Sequence, residues 1–248
     1  MFIDAHCHLE MLENVEKAIE RAGEKRVGII IANGINPESN RKVLEFSKKY
    51  ENVRASLGLY PTDALKMSDG EIEDELLFIM RNKEKIIAIG EVGIDFKEST
   101  NEQERERQIK IFKKIIELAK DVDKPLIVHS RKAEKECIDI LEEMKAKKVV
   151  MHCFSGKFNL TERIVKNSWY LTIPTNVKNS EQFQNIALKI PIENLLCETD
   201  SPFLHPDKKG ENNPSNVVES YKKIAELRKM KLKEVENKIE QNFKKLFY

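Results

Sequence analysis

Six side chains able to bind a metal ion share a setting in this chain: His6, His8, Glu91, His129, His152 and Asp200 each lie at or just beyond the end of a short apolar run. A lone histidine in such a place is usually a hydrogen-bonded structural residue. Four imidazoles and two carboxylates gathered at one rim are different, because desolvating them together is costly unless they are paired or bound to metal. Imidazole nitrogen and carboxylate oxygen suit zinc, manganese, iron or magnesium. The His6-Cys7-His8 spacing puts two imidazoles on one face of a strand and turns Cys7 into the wall. Cys7, Cys153 and Cys197 read as small buried hydrophobes, and Cys137 falls on the core stripe of a helix. Six donors exceed the needs of one tetrahedral ion. The residues therefore favour a two-metal site with a bridging carboxylate, which generates hydroxide near neutral pH and clamps an oxyanion.

Residues so far apart must be brought together by the fold. Eight candidate strands are visible: Phe2–His6, Val27–Asn33, Val53–Leu59, Ile86–Val92, Pro125–His129, Lys148–His152, Trp169–Ile173 and Leu195–Glu198. Several are unbroken apolar runs, as expected of a parallel sheet buried on both faces. Helical patterns fill the gaps. Over Glu102–Lys120, Ile109, Phe112, Ile115, Ile116 and Ala119 form one apolar stripe, and Ala133–Lys147 repeats the design. The pattern predicts an α/β fold, a (β/α)₈ TIM barrel forming a single domain over residues 1–248; a doubly wound open sheet is the alternative. In a barrel all strand C-termini meet at one rim, which brings the six donors together. Ser201–Pro214 reads as a long irregular loop and Ser215–Phe247 as two closing helices.

Composition narrows the setting. The 248 residues carry 43 Lys+Arg against 42 Asp+Glu, so bulk charge attracts neither nucleic acid nor membrane. Four scattered cysteines without a C-x-x-C pair suit a reducing cytoplasm. The start, MFIDAHCHLE, does not read as a signal peptide, and no apolar stretch approaches the ~18 residues of a membrane span. A barrel of this size can fold alone, so a monomer is expected.

The blocks FIDAHCHLE, IGEVGIDF, PLIVHSRKA, MHCFSG and LLCETDSPFL, with Gln108, Phe112 and the closing NFKKLF as weaker support, make the whole chain resemble TatD-family metal-dependent deoxyribonucleases of the barrel amidohydrolase-like superfamily. The resemblance implies that His6, His8 and Asp200 hold one divalent ion (Mg²⁺, Mn²⁺ or Zn²⁺), that His129 and His152 hold a second, and that Glu91 bridges them. Asp200 would also orient the attacking water and take its proton. DNA would be the substrate, as single strands or 3′ ends, cut by phosphodiester hydrolysis. Arg131, Ser155 and Lys157 follow predicted ligand positions and are candidate phosphate contacts, Arg131 through its forked guanidinium. A solvated loop lysine is an equal reading for Lys157. Glu198 is expected to hold a ligand histidine from behind, with pairing to Arg131 as the alternative. His205 reads as a rim residue.

Three stretches depart from the family pattern. The G-[IV]-H-P-H segment is Gly58-Leu59-Tyr60-Pro61-Thr62 here, so Tyr60 and Thr62 replace two histidines. Lysine stands for arginine in Lys208–Pro214, and strand seven leads into Pro174 rather than a Gly-rich turn. The implied metal centre is intact while its surroundings differ. Two alternatives therefore stand beside the nuclease: a hydrolase of another ester on the same metals, such as an aminoacyl-tRNA deacylase or a small phosphodiesterase, and a barrel that only binds.

Overall fold

The computed structural model describes all residues, Met1–Tyr248. Eight parallel strands follow one another around a single sheet: β1 (Phe2–Cys7), β2 (Val27–Asn33), β3 (Val53–Leu57), β4 (Ile86–Gly93), β5 (Leu126–His129), β6 (Val149–Met151), β7 (Tyr170–Pro174) and β8 (Leu195–Glu198). Parallel ladders join each strand to the next from β1 to β8. The seam between β8 and β1 is built differently. The buried Asp4 carboxylate accepts from Thr199 N at 2.8 Å and Thr199 Oγ1 at 2.6 Å. Beyond it, Asp200 N donates to His6 O at 3.0 Å and His8 N to Ser201 O at 2.7 Å. The result is a (β/α)₈ barrel whose last seam is made by the segments that carry His6, His8 and Asp200.

Ten helices surround the sheet: α1 (Val15–Glu24), α2 (Pro37–Lys49), the single turn α3 (Pro61–Ala64), α4 (Asp69–Arg81), α5 (Glu102–Asp121), α6 (Glu134–Glu143), α7 (Phe158–Lys166), α8 (Glu181–Lys189), α9 (Val217–Arg228) and α10 (Leu232–Phe247). Their starts follow from local chemistry. Asn14, Asn36, Ser68, Asn101 and Ser180 each cap a helix by accepting a backbone N–H, and Pro37 occupies the first turn of α2. None of the helices is long and apolar enough to cross a membrane.

Local expectations needed adjustment. In α5 the inward face includes Gln108 and Ile111, while Ile109 is only partly buried. The second predicted helix, Ala133–Lys147, is shorter than its pattern. Lys145 adopts a left-handed φ of 55°, and Ala146 N closes back on Leu141 O, ending α6 at Glu143. β6 stops at Met151, one residue before His152, and Trp169 precedes β7, its Nε1 donating to Ala146 O. One continuous apolar core spans the barrel interior and the helix–sheet layer.

Candidate metal centre

The C-terminal ends of five strands bring all six predicted donors to one place. His6 is on β1 with His8 just beyond it, Glu91 is on β4 and His129 ends β5. His152 follows β6 and Asp200 follows β8. His6, His8, Glu91 and His152 are buried, whereas His129 and Asp200 keep an edge toward solvent.

The carboxylate of Glu91 divides the group. Its Oε2 lies 3.3 Å from His8 Nε2 and 3.8 Å from His6 Nε2, while its Oε1 lies 2.9 Å from His129 Nδ1 and 3.0 Å from His152 Nε2. On the first side, His6 Nε2 is 3.2 Å from His8 Nε2 and 3.4 Å from Asp200 Oδ1, and His8 Nε2 is 3.7 Å from the same oxygen. These separations match the edges, about 3.4 Å, of a tetrahedron of ligands about 2.1 Å from a central ion. His6 stacks on His152 with ring centroids 3.9 Å apart, so the two halves of the group are contiguous.

Electrostatics points the same way. Burial opposes ionisation of Glu91, yet His152, His129 and His8 hold it well below the usual carboxylate range. Asp200 is lowered too, against its own burial, chiefly by His6. Burial works against charge on the imidazoles, but Glu10 and Glu91 raise His8, and Glu198 and Glu91 raise His152. His6 is lowered by burial first and by His152 next. Anionic carboxylates buried together demand positive charge nearby, and a divalent ion supplies it without protonating the imidazoles. Donor types, spacing and charge therefore all fit a metal.

Three of the four imidazoles are aimed from behind. His8 Nδ1 donates to Asn33 O at 3.2 Å, which leaves Nε2 free on the inner side. His152 Nδ1 faces Glu198 Oε2 at 3.4 Å, so Glu198 stands behind His152 and not against Arg131. His129 Nε2 lies 3.1 Å from Asp95 Oδ2, which turns Nδ1 toward Glu91.

Asp95 escaped the sequence reading. It is buried, accepts from Tyr60 Oη at 2.9 Å and Arg131 Nε at 3.0 Å, and is fixed by Gln108, whose Oε1 accepts from Asp95 N at 2.7 Å. The available signal was an acidic residue two positions beyond the strand that carries Glu91. Glu10, 3.6 Å from His8 Nδ1, was missed as well.

Above the donors opens a cleft of about 620 Å³, lined among others by Tyr60, Thr62, Arg131, Ser155 and Phe203. Arg131 reaches it with its charge already engaged by Asp95 and by Glu98 at 3.0 Å. Ser155 lines the cleft and donates to Glu134 Oε1. Lys157 does not line it; it borders a neighbouring hollow with Phe158 and Gln182, because the chain turns outward after Ser155 to start α7. His205 lies on the loop after β8, its Nδ1 accepting from Asp207 N.

A family model described as "TatD related DNase" matches residues 3–248. An uncharacterised metal-dependent hydrolase of Methanocaldococcus jannaschii is 36% identical over 249 residues, covering 99% of this chain and 96% of that protein. The human deoxyribonuclease TATDN3 is 31% identical over 258 residues, covering 99% and 94%. The crystal structure of YjjV, a TatD homologue of Escherichia coli, superposes with a TM-score of 0.91 at 28% identity, covering 99% and 97%.

Proposed function

Because the chain belongs to the TatD-related DNase family of metal-dependent hydrolases, we propose that it hydrolyses phosphodiester bonds of DNA, working on single strands from the 3′ end. The observation that carries this reading is the division of Glu91, one oxygen toward His6 and His8 and the other toward His129 and His152. His6, His8, Asp200 and Glu91 Oε2 would hold one divalent ion, and His129, His152 and Glu91 Oε1 a second. Bound ions would polarise a phosphoryl oxygen and acidify water.

The chain's own groups do the rest. Asp200 stays ionised, presents an edge to the cleft and is placed to take the proton of the attacking water. Its left-handed φ of 54° is one that Asp tolerates, and the N–H bond to His6 O holds it there. Asp95 and Glu198 keep His129 and His152 oriented while substrate enters and leaves. Tyr60, raised by burial and by Glu91, remains a neutral phenol at the cleft wall.

The test is degradation of 3′-labelled single-stranded DNA with Mg²⁺, Mn²⁺, Zn²⁺ or EDTA, beside Glu91→Ala. Metal-dependent loss of label that disappears in the variant supports the reading. Intact DNA with metal bound to the protein would move the substrate to another ester. The pairing of Arg131 with Asp95 and Glu98 is the observation favouring that second reading, since a long polyanion gains affinity from free cations.

A further inference from the structure

With Arg131 spoken for, the cleft offers a polyanion little charge. What it offers is an apolar wall. Phe203 and Met11 are two of the few large hydrophobic side chains left exposed, 52% and 38%, and both line this cleft. Scattered exposed hydrophobics are ordinary; two beside one group of donors are a built surface. The Phe203 ring stands edge-on to the His8 ring, centroids 6.3 Å apart, three residues beyond Asp200.

The backbone under Phe203 is pinned although its ring is free. Phe203 N donates to Asp200 O at 2.8 Å and Asn212 N to Pro202 O at 2.9 Å. Thr175 Oγ1 donates to Leu204 O at 2.6 Å, and the buried Asn212 ties Thr175 to Thr199 O. An aromatic face held still beside the donors loses little entropy when a flat group stacks on it. The flat group that accompanies a phosphodiester is a nucleobase.

We propose that Phe203 is a stacking platform for the unpaired base at the end being cut. The assignment rests on the nuclease reading and adds to it a subsite that selects a frayed or single-stranded terminus. The last base of a blunt duplex is held by its pair and by the stack beneath it, so it turns onto the ring only when the end frays. Base–aromatic stacking is worth about 1–3 kcal/mol, or about 5- to 150-fold in affinity.

The test compares oligonucleotides ending in a normal nucleotide with those ending in an abasic deoxyribose. Wild type should prefer the normal end, and Phe203→Ala should shrink the ratio of the two kcat/KM values about 5- to 150-fold. Phe203→Tyr should restore it. A binding readout needs no turnover: terminal 2-aminopurine, next to a non-hydrolysable linkage, should be quenched on wild type and far less on Phe203→Ala. DNA cleavage with an unchanged ratio in Phe203→Ala, or with equal losses on both ends, overturns the platform and leaves the nuclease standing. Failure of wild type to bind or cut any DNA overturns both.

Discussion

Substituting Gly58 by alanine tests whether the position of Glu91 governs the centre. Gly58 follows β3 and passes directly behind the β4 backbone. A Cβ there would stand 2.4 Å from Glu91 O, 2.6 Å from Gly90 C and 2.7 Å from Glu91 N. These are backbone atoms that cannot rotate away, so the strands must part by about 1 Å to regain ordinary contact. Gly58 itself cannot retreat. Its N–H donates to Asn40 Oδ1 at 3.0 Å, its carbonyl accepts from Asn40 Nδ2 at 2.9 Å, and buried Asn40 donates on to Glu75 Oε1. The shift therefore falls on Glu91, which sits between both imidazole sets. A displacement of about 1 Å at a catalytic group costs on the order of 100-fold in rate. Overpacking should cost about 1–3 kcal/mol as well, lowering Tm by about 2–4 °C per kcal/mol for a chain of this size. Mn²⁺ titration calorimetry, hydrolysis rates and scanning calorimetry on Gly58→Ala read all three effects. Wild-type Mn²⁺ affinity and rate, with Tm unchanged, would refute the claim that this close approach sets Glu91.

Asp95→Asn should weaken Mn²⁺ binding about 10- to 100-fold by loosening the imidazole of His129, with far-UV circular dichroism confirming an intact fold. Chelation should destabilise the protein. An ion held at 100 times its Kd contributes about 2.7 kcal/mol, so EDTA should lower Tm by about 5–11 °C in scanning calorimetry. Asp4 gives a pH prediction. Burial raises its carboxyl well above the ordinary value, with Thr199 opposing. A group raised on folding contributes stability that is present below its unfolded value, about 3.9, and lost as pH rises through the folded value. Asp4→Asn does not titrate, so its Tm relative to wild type should climb as pH is raised from 4 to about 8. A constant difference would show that Asp4 does not titrate with folding.

Much of the molecule was legible locally. Unbroken apolar runs such as Val27–Ala32 can satisfy themselves only as strands covered on both faces, and eight of them alternating with amphipathic helices leave few architectures besides a barrel. That topology sends every strand end to one rim, so His6, His8, Glu91, His129, His152 and Asp200 could be grouped before any distance was known. What could not be read were relations between side chains from elements far apart. Gln108 faces inward because Asp95 needs a partner for its backbone N–H, and a polar residue on an apolar stripe carries no mark of that. Arg131 looked like a free fork for phosphate until Asp95 and Glu98 were seen to hold it. The helix pattern of Ala133–Lys147 continued past the left-handed residue that ends α6. The choice of ring nitrogen on His8, His129 and His152, and the division of Glu91 between two sets, depend on Asn33, Asp95 and Glu198 standing behind the rings. Composition and periodicity act over a few residues and select elements. Rotamers and tautomers answer to partners that only the closed barrel brings within about 3 Å, the reach of a hydrogen bond.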